Sequence, residues 1–402
     1  MKKRWTVLLS VVLLMAPSMA RAEQFSIIGS RALGMGGASV AAVNDATAVF
    51  WNPAALANFR RVDIRIPTEV GVFDHMGLKD TWSQINDIYD EALAGNTAAA
   101  EQLKQLINNL DKPSTGADID VSTGLLISIP ISKSAMAVSA LGLGYAGLYP
   151  TVDTLNQNTT NPAAPDYIAN NHTAVTGIGI GTVQPALSFA TSFADKVFIG
   201  ANAKMIYAET YVISQIITSN DYHAFLDDLR KSGTKSSKAS IDAGILYAPI
   251  ESFRIGVVGR DLTSPSFPAA GIFAHKQPSG DVTLSAAPEQ TEITFSPQYR
   301  AGIAWIPFKT FTISTDYDLT RNKTLTPGYK NQTAAVGVEK TFFSEYLSVR
   351  AGAFKNTADS SSKAVYTAGL GLRLSVLRVD VAGAYDFDER QAQVSADLAL
   401  MF

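Results

Sequence analysis

The sequence predicts an all-β fold: a fourteen-stranded antiparallel transmembrane β-barrel with its N-terminal segment folded inside the lumen as a plug, or hatch. Three observations predict it. First, stretches of about ten residues alternate apolar and polar side chains. The pattern is cleanest at the C-terminus, where Val394, Ala396, Leu398, Leu400 and Phe402 interleave with Gln393, Ser395, Asp397 and Ala399. Period-two alternation marks a strand with one apolar face, and ten residues suffice for a tilted strand to cross a bilayer. Second, the connections between these stretches alternate short and long, the asymmetry of barrels with tight turns at one end and loops at the other. Third, the stretch 30–56, SRALGMGGASVAAVNDATAVFWNPAAL, is Gly-rich and almost uncharged. It fits neither an amphipathic helix nor a membrane strand, so its backbone polar groups need a container that satisfies them.

At the N-terminus, Lys2, Lys3 and Arg4 precede an apolar run from Trp5 to Ala16, followed by Pro17 and Ala20-Arg21-Ala22. This is the pattern of a secretory signal, expected to be cleaved after residue 22 so that the mature chain begins at Glu23. The run is too short to span a bilayer as a helix. With no Cys, the chain has neither a lipid-modified cysteine nor a disulfide staple. Removing Lys2, Lys3, Arg4 and Arg21 takes the formal charge from −3 to −7, which argues against a nucleic-acid partner. Charged residues make up 17% of the chain, against ~25% in soluble domains. A secreted chain so poor in charge, with no second long apolar run, has the composition of a barrel whose strands give every other residue to lipid.

Next comes the expected hatch, 23–60, in which Gly34, Gly36 and Gly37 permit close packing or positive φ and Asn52-Pro53-Ala54 signals a turn. The barrel is expected over 61–402, with strands near 62–74, 118–131, 135–149, 175–193, 196–213, 239–248, 253–262, 293–306, 311–319, 334–342, 347–353, 366–374, 377–385 and 393–402. Its first long connection, 75–117, predicts a helical extracellular loop. Ile85, Ile88, Tyr89 and Ala92 share one helical face, and Leu103, Leu106, Ile107 and Leu110 another, with Gly95-Asn96 between. Such a pair serves either as a lid or apolar landing groove at the barrel mouth, or simply packs on itself. An even strand number puts both barrel ends in the periplasm, and the terminal Phe402 resembles the signature read by the barrel-insertion machinery.

Few motifs suggest chemistry. Gly142, Gly144 and Gly147 match G-x-G-x-x-G, but no helix follows to cap a pyrophosphate, so no cofactor is expected. With Gly177, Gly179 and Gly181 they mark either a thin or kinked part of the wall or room for the plug. His75, His172, His223 and His275 all fall in predicted loops without metal-ligand spacing. No G-x-S-x-G elbow is present, and no enzyme is expected. Arg300, Asp316, Asp318, Arg350, Arg373, Arg378 and Asp380, with Asp242, Arg254, Arg260, Glu339 and Asp397, occupy the lumen-facing phase. Both signs interleave, so they are expected to pair with one another or with the plug backbone.

The opening stretch carries a resemblance. Arg31 to Ala38, Asn44 to Ala48, and Trp51-Asn52-Pro53-Ala54-Ala55-Leu56 resemble the hatch of the FadL-like outer-membrane transport superfamily, with Asn52, Pro53 and Ala54 matching its Asn-Pro-Ala motif. The helical insertion and the stretch from Phe253 to Leu262 leading to Ser264-Pro265-Ser266-Phe267 are closer to the divergent TraF-like branch, and the hatch also resembles PorV-type barrels. The resemblance implies a monomer in the outer membrane of a Gram-negative bacterium, in contact with membrane lipid. It also implies passive uptake of a hydrophobic small molecule, a long-chain fatty acid or an aromatic hydrocarbon. The alternative it implies is a conjugation or secretion accessory that docks a protein partner.

Overall fold

The computed structural model describes residues 25–74, 78–111, 116–217, 233–286, 291–360, 362–387 and 391–402. The expected signal peptide, His75 and His223 lie outside them.

Two short helices, α1 (Ser30–Gly34) and α2 (Ala48–Trp51), and a 3-10 helix over Pro53–Asn58 precede the first strand, β1 (Asp63–Asp74). The helix pair α3 (Leu78–Leu93) and α4 (Thr97–Leu110) follows. Then come β2 (Ala117–Ile131), β3 (Ser134–Thr151), β4 (Ala174–Phe193), β5 (Val197–Ile216), β6 (Thr234–Ile250) and β7 (Phe253–Arg260). Short strands β8 (Ser266–Pro268), β9 (Ile272–Lys276), β10 (Val282–Ala286) and β11 (Glu292–Thr294) structure the next long connection. After β12 (Gln298–Phe308) and β13 (Phe311–Asp318), a small hairpin pairs β14 (Asn322–Lys323) with β15 (Lys330–Asn331). The chain finishes with β16 (Thr333–Phe342), β17 (Leu347–Asn356), β18 (Val365–Leu374), β19 (Leu377–Tyr385) and β20 (Gln391–Met401).

Fourteen of these strands close an antiparallel barrel in the order β1 to β7, β12, β13 and β16 to β20. β1 pairs with β20, Asp63 opposite Met401 and Phe73 opposite Gln391. Phe402 continues the seam: its N–H donates to the Val62 carbonyl at 3.0 Å and its carbonyl accepts from Val62 at 3.2 Å. Closure leaves no barrel edge to aggregate. The stretch 293–306, expected as one strand, is two: β11 belongs to the loop and pairs with β8, while β12 belongs to the wall.

The alternation has a direction. Along β20, Val394, Leu398 and Leu400 are exposed while Gln393, Ser395 and Asp397 are buried, so the apolar set faces outward and the polar set faces the lumen. Exposed aromatics gather at both ends of the outer face. Tyr247, Trp305, Phe308 and Phe342 ring the short-turn end, and Tyr299, Tyr317, Tyr366 and Tyr385 ring the long-loop end. An apolar band between two aromatic girdles is the surface of a barrel that sits in a bilayer.

The wall is uneven. β3, β4 and β5 run for 18, 20 and 20 residues, well beyond the ~9–11 that cross a membrane. Their long-loop ends carry the helix pair. Trp82, Ile85, Leu103, Ile107 and Leu110 pack with the outward-facing Val175 and Ile213. The Tyr167 hydroxyl donates to the Ala92 carbonyl at 2.8 Å. Asn96 caps α4 by accepting from the Ala98 and Ala99 N–H groups. The pair therefore packs on itself and on the outside of the extended wall. Its apolar faces are taken up by each other and by Val152, Tyr167, Ile168, Val175 and Ile213, which leaves none for a lid over the mouth. The inner faces of the same strands (Tyr145, Ile178, Ile180, Val212) pack instead with Phe267, Phe273, Ile293 and Phe295 from the β8–β11 connection.

Candidate functional site

The segment 25–58 is buried inside the barrel, with Leu33, Met35, Trp51 and Leu56 at 0% exposure. Its fold is local and tight. The Trp51 indole N–H donates to the Ile28 carbonyl at 2.8 Å, and Phe25, Phe50 and Trp51 form an aromatic knot with centroids 5.5–5.7 Å apart. Asn52 joins plug to wall. Its side-chain oxygen accepts from Ala54 N at 3.1 Å, capping the 3-10 helix, with Pro53 in the first turn where its missing N–H costs nothing. Its Nδ2 donates to the Val40 carbonyl at 3.1 Å and to the Ile245 carbonyl of β6 at 3.2 Å. Ala54 contributes that backbone N–H and a fully buried methyl.

The three hatch glycines differ in kind. Gly36 and Gly37 take φ of +65° and +81°, where only glycine sits without cost. Gly34 has ordinary helical backbone and is small because it meets Gly369 of β18 and the Arg350 side chain. The wall answers with its own glycines. Gly200, Gly244, Gly256, Gly302, Gly337, Gly352 and Gly369 lie on seven wall strands in the inward phase, several directly opposite one another. A Cβ at Gly200 would fall 2.5 Å from Pro53, one at Gly256 2.8 Å from the Val40 carbonyl, and one at Gly352 2.5 Å from Gly36 N. This belt lets the plug backbone lie directly against the wall.

Charge supplies the second attachment. Arg65 of β1 sits at the centre of four carboxylates: Asp63 and Asp397 at 3.2 Å, Asp45 and Asp380 at 3.8 Å. Asp380 also pairs with Arg378 (2.7 Å), and from Asp380 a chain of ion pairs runs through Arg350 (2.8 Å) and Glu339 (2.7 Å) to Arg31 of the plug (2.7 Å). Asp316 accepts from the plug N–H groups of Ser39 and Val40 at 2.7 and 2.8 Å. Arg300 pairs with Asp318 at 2.5 Å and lies over the Phe25 ring at 3.9 Å, while Arg260 lies over Phe50 at 3.8 Å. Burial pushes the Asp45 carboxyl up, but the Arg65 and Arg31 guanidiniums outweigh it and hold that group below its ordinary value. Arg373 stands apart: half-buried at the short-turn rim, it reaches Glu345 at 3.3 Å and does not touch the plug.

Arg31 and Asp45 belong to the stretches that carry the hatch resemblance, but no charge role follows from that pattern; Arg65 and Lys204, which bridges Asp242 and Asp261 at 2.9 and 2.8 Å, carry no motif. A signal existed for two of them, since Arg65 and Lys204 fall in the inward phase of their strands. Nothing in the sequence says which wall residue an irregular plug residue will meet.

At Gly142, Gly144 and Gly147, β3 pairs with β2 and β4 without a register shift, and none of the three glycines lies against the plug. Gly147 faces inward against Asp118, Leu325 and Thr326. Gly142, Gly144 and Gly181 face outward and floor a depression of about 730 Å³ flanked by Val121, Val183 and Tyr207. Behind this thinned wall the inner face is apolar, with Leu141, Leu143, Tyr145 and Ile180 in one cluster with the plug. At the short-turn end the lumen opens as a vestibule of about 680 Å³ lined by Arg31, Arg61, Arg254, Asp45 and Glu339. Away from the lumen, Asp153, His172 and Asp281 bring three ligand-type atoms within 4.8 Å of one another. Sequence spacing did not foreshadow this, and Asp153 is already engaged by Leu155 N, Asn156 and His172 N.

The family described as F plasmid transfer operon, TraF, protein matches residues 49–318. No curated protein matches the sequence. Among solved structures, the CymD monoaromatic hydrocarbon channel aligns with a TM-score of 0.56 at 12% identity, covering 94% of this chain and 98% of that one. The TodX deltaS2S3 mutant monoaromatic hydrocarbon channel aligns with a TM-score of 0.54 at 11% identity, over 93% of this chain and 97% of that one. The Ralstonia pickettii toluene transporter TbuX gives 0.52 at 13%, over 94% and 99%. At such identities the likeness is one of fold.

Proposed function

The chain belongs to the family described as F plasmid transfer operon, TraF, protein, and on that premise we propose that it is an outer-membrane channel for hydrophobic small molecules, held shut at rest by its N-terminal hatch. The short turns face the periplasm and the long connections the outside, after export on a signal peptide cleaved at residue 22. The observation that carries this reading is the division of the lumen. From the loop residues Phe267, Phe273 and Phe295 a packed apolar core runs down the inner face of β3–β5 to the aromatic knot of the plug. The periplasmic side is charged. A hydrophobic cargo is favoured down to the plug and opposed beyond it, since burying apolar surface is favourable and desolvating charge is not. The thinned wall at Gly142, Gly144 and Gly181 then offers the short way into lipid. An aromatic hydrocarbon as cargo is suggested by the channels that share the fold, and a long-chain fatty acid by the resemblance of the hatch motif.

The test is uptake of a labelled alkylbenzene and a labelled long-chain fatty acid by cells carrying or lacking the protein. Because the chain has no Cys, Ser30→Cys with Ser395→Cys, whose hydroxyls lie 3.1 Å apart, can tie plug to wall reversibly. Uptake that stops on oxidation and returns on reduction supports a moving hatch. Equal uptake of both labels with and without the protein overturns the channel reading.

A second reading is favoured by the family match and the charged periplasmic vestibule: a barrel that docks a protein partner in conjugation or secretion. A stoichiometric large partner recovered from solubilised outer membranes, with no bound hydrophobic molecule, supports it over transport.

A further inference from the structure

The buried lumen acids follow a rule. Asp63, Asp397 and Asp380 share Arg65, Glu339 lies between Arg31 and Arg350, Asp242 and Asp261 share Lys204, and Asp318 meets Arg300. Asp316 accepts two plug N–H groups at Oδ2, which leaves only its Oδ1 without a partner. Glu69 and Asp120 break the rule. Glu69 is 1% exposed, and neither carboxylate oxygen has a hydrogen-bond partner. Asp120 is 5% exposed with Oδ1 likewise unpartnered. Among the described residues no Lys or Arg pairs with either.

Their surroundings are also oxygen-rich and unsatisfied. On β2, Ser122 lies directly opposite Glu69, and on β20, Gln393 lies opposite Gly71. Ser122 Oγ and Gln393 Oε1 are both buried and without partners. Gly71 leaves the slot into which Asp120 leans, since a Cβ there would fall 2.6 Å from Asp120 Oδ1. Five unpartnered oxygens thus come from adjacent inward positions of β20, β1 and β2. Inward neighbours on adjacent strands are roughly 5–8 Å apart at Cβ, within reach of one ion.

We propose that Glu69, Asp120, Ser122 and Gln393 form a lumenal site for a hard divalent cation of the calcium or magnesium class. Two carboxylates balance the charge of such an ion, and the hydroxyl and amide oxygens complete an all-oxygen donor set, the chemistry these ions select. The site spans the seam where the first and last strands meet. It lies one rung toward the long-loop end from the Ser30–Asp397 contact, so a bound ion staples barrel closure next to the plug.

The experiment uses the full-length protein in detergent, stripped of lipopolysaccharide and treated with chelator, with calcium and magnesium chloride as probes. Equilibrium dialysis with elemental analysis is expected to find one divalent ion per chain, with the melting temperature rising on addition. Glu69→Gln and Asp120→Asn each remove an unpaired buried charge, so both should assemble, as read by heat-modifiable gel mobility. Each should lose the bound ion and the calcium-dependent shift. Should Glu69→Gln fail to assemble, Asp120→Asn and the wild-type stoichiometry still decide. The proposal is overturned if the wild type binds no divalent ion below millimolar concentration, or if a folded variant binds as the wild type does. A gain in stability of Glu69→Gln with no cation effect on the wild type would instead identify neutral, protonated carboxyls.

Discussion

Ser30 and Asp397 are 367 residues apart in sequence, yet Asp397 Oδ1 accepts from both the Ser30 backbone N–H, at 2.9 Å, and its hydroxyl, at 3.0 Å. The start of the plug is thus bound to the last strand of the wall. α1 therefore docks on the last strands of the wall, against β18, β19 and β20, beside the seam with β1. Its neighbours on that seam, Arg65 and Asp63, are the shared anchor.

Arg65→Met is expected to be the most destabilising single change in the lumen. It leaves Asp45, Asp63 and Asp397 buried without their common cation, at a cost of about 3–5 kcal/mol for an uncompensated buried charge. Denaturant unfolding measures it, and Arg65→Met with Asp63→Asn should recover part of the loss. A loss below 1 kcal/mol would mean that the carboxylates are already neutral.

Gly36→Ala tests the packing of plug on wall. The residue has φ +65°, and its added Cβ would meet Ala353 N at 2.7 Å, so the methyl is opposed by both backbone conformation and β17. The barrel should still assemble while the plug loosens, raising conductance in planar bilayers above the wild type. Gly328→Ala, at φ +79° with nothing within 4 Å, carries the backbone strain without the clash and should leave conductance unchanged.

Asn52→Asp keeps the acceptor for Ala54 N but removes both amide donations, to Val40 and to Ile245. It also leaves an anion facing two carbonyls, so it should destabilise the plug more than Asn52→Ala, whose lost bonds amount to ~1–3 kcal/mol. Hydrogen exchange of the segment 25–58 reads both.

The attachment of the plug through Asp45 has a defined pH dependence. Its folded carboxyl titrates below the ordinary value, so its contribution is complete above ~pH 4–5 and is lost as pH falls through the lowered value. Protease access to the plug should be the same at pH 7 and pH 5 and should rise only in strong acid. Asp45→Asn should abolish the acid-dependent part of that rise.

Gly181→Trp places a large side chain in the outer-face depression, where an added Cβ meets nothing within 4 Å. Stability should hardly change, while labelled hydrocarbon uptake should fall several-fold if cargo leaves through this part of the wall.

Much of this molecule is written in period two. The alternation along β20, β19 and β18 decides which side chains meet lipid, because a one-residue slip would exchange the two faces of a strand whose outside touches hydrocarbon. The same alternation assigns Arg300, Asp316, Asp318, Arg350 and Asp380 to the inward phase, and all five are buried. The need of the stretch 30–56 for a container was legible without coordinates. The belt glycines were readable in principle, one inward glycine on each of several strands, but only a plug backbone lying on them gives that pattern a meaning. What tertiary structure alone decided is partnership across long separations: Arg31 with Glu339, Ser30 with Asp397, Val40 with Gly256, and the helix pair with the outside of β4 and β5 instead of the mouth. Alternation fixes the direction in which a side chain points. The irregular backbone of the plug has no period, so its contacts follow from three-dimensional fit to a closed wall, which no local pattern encodes.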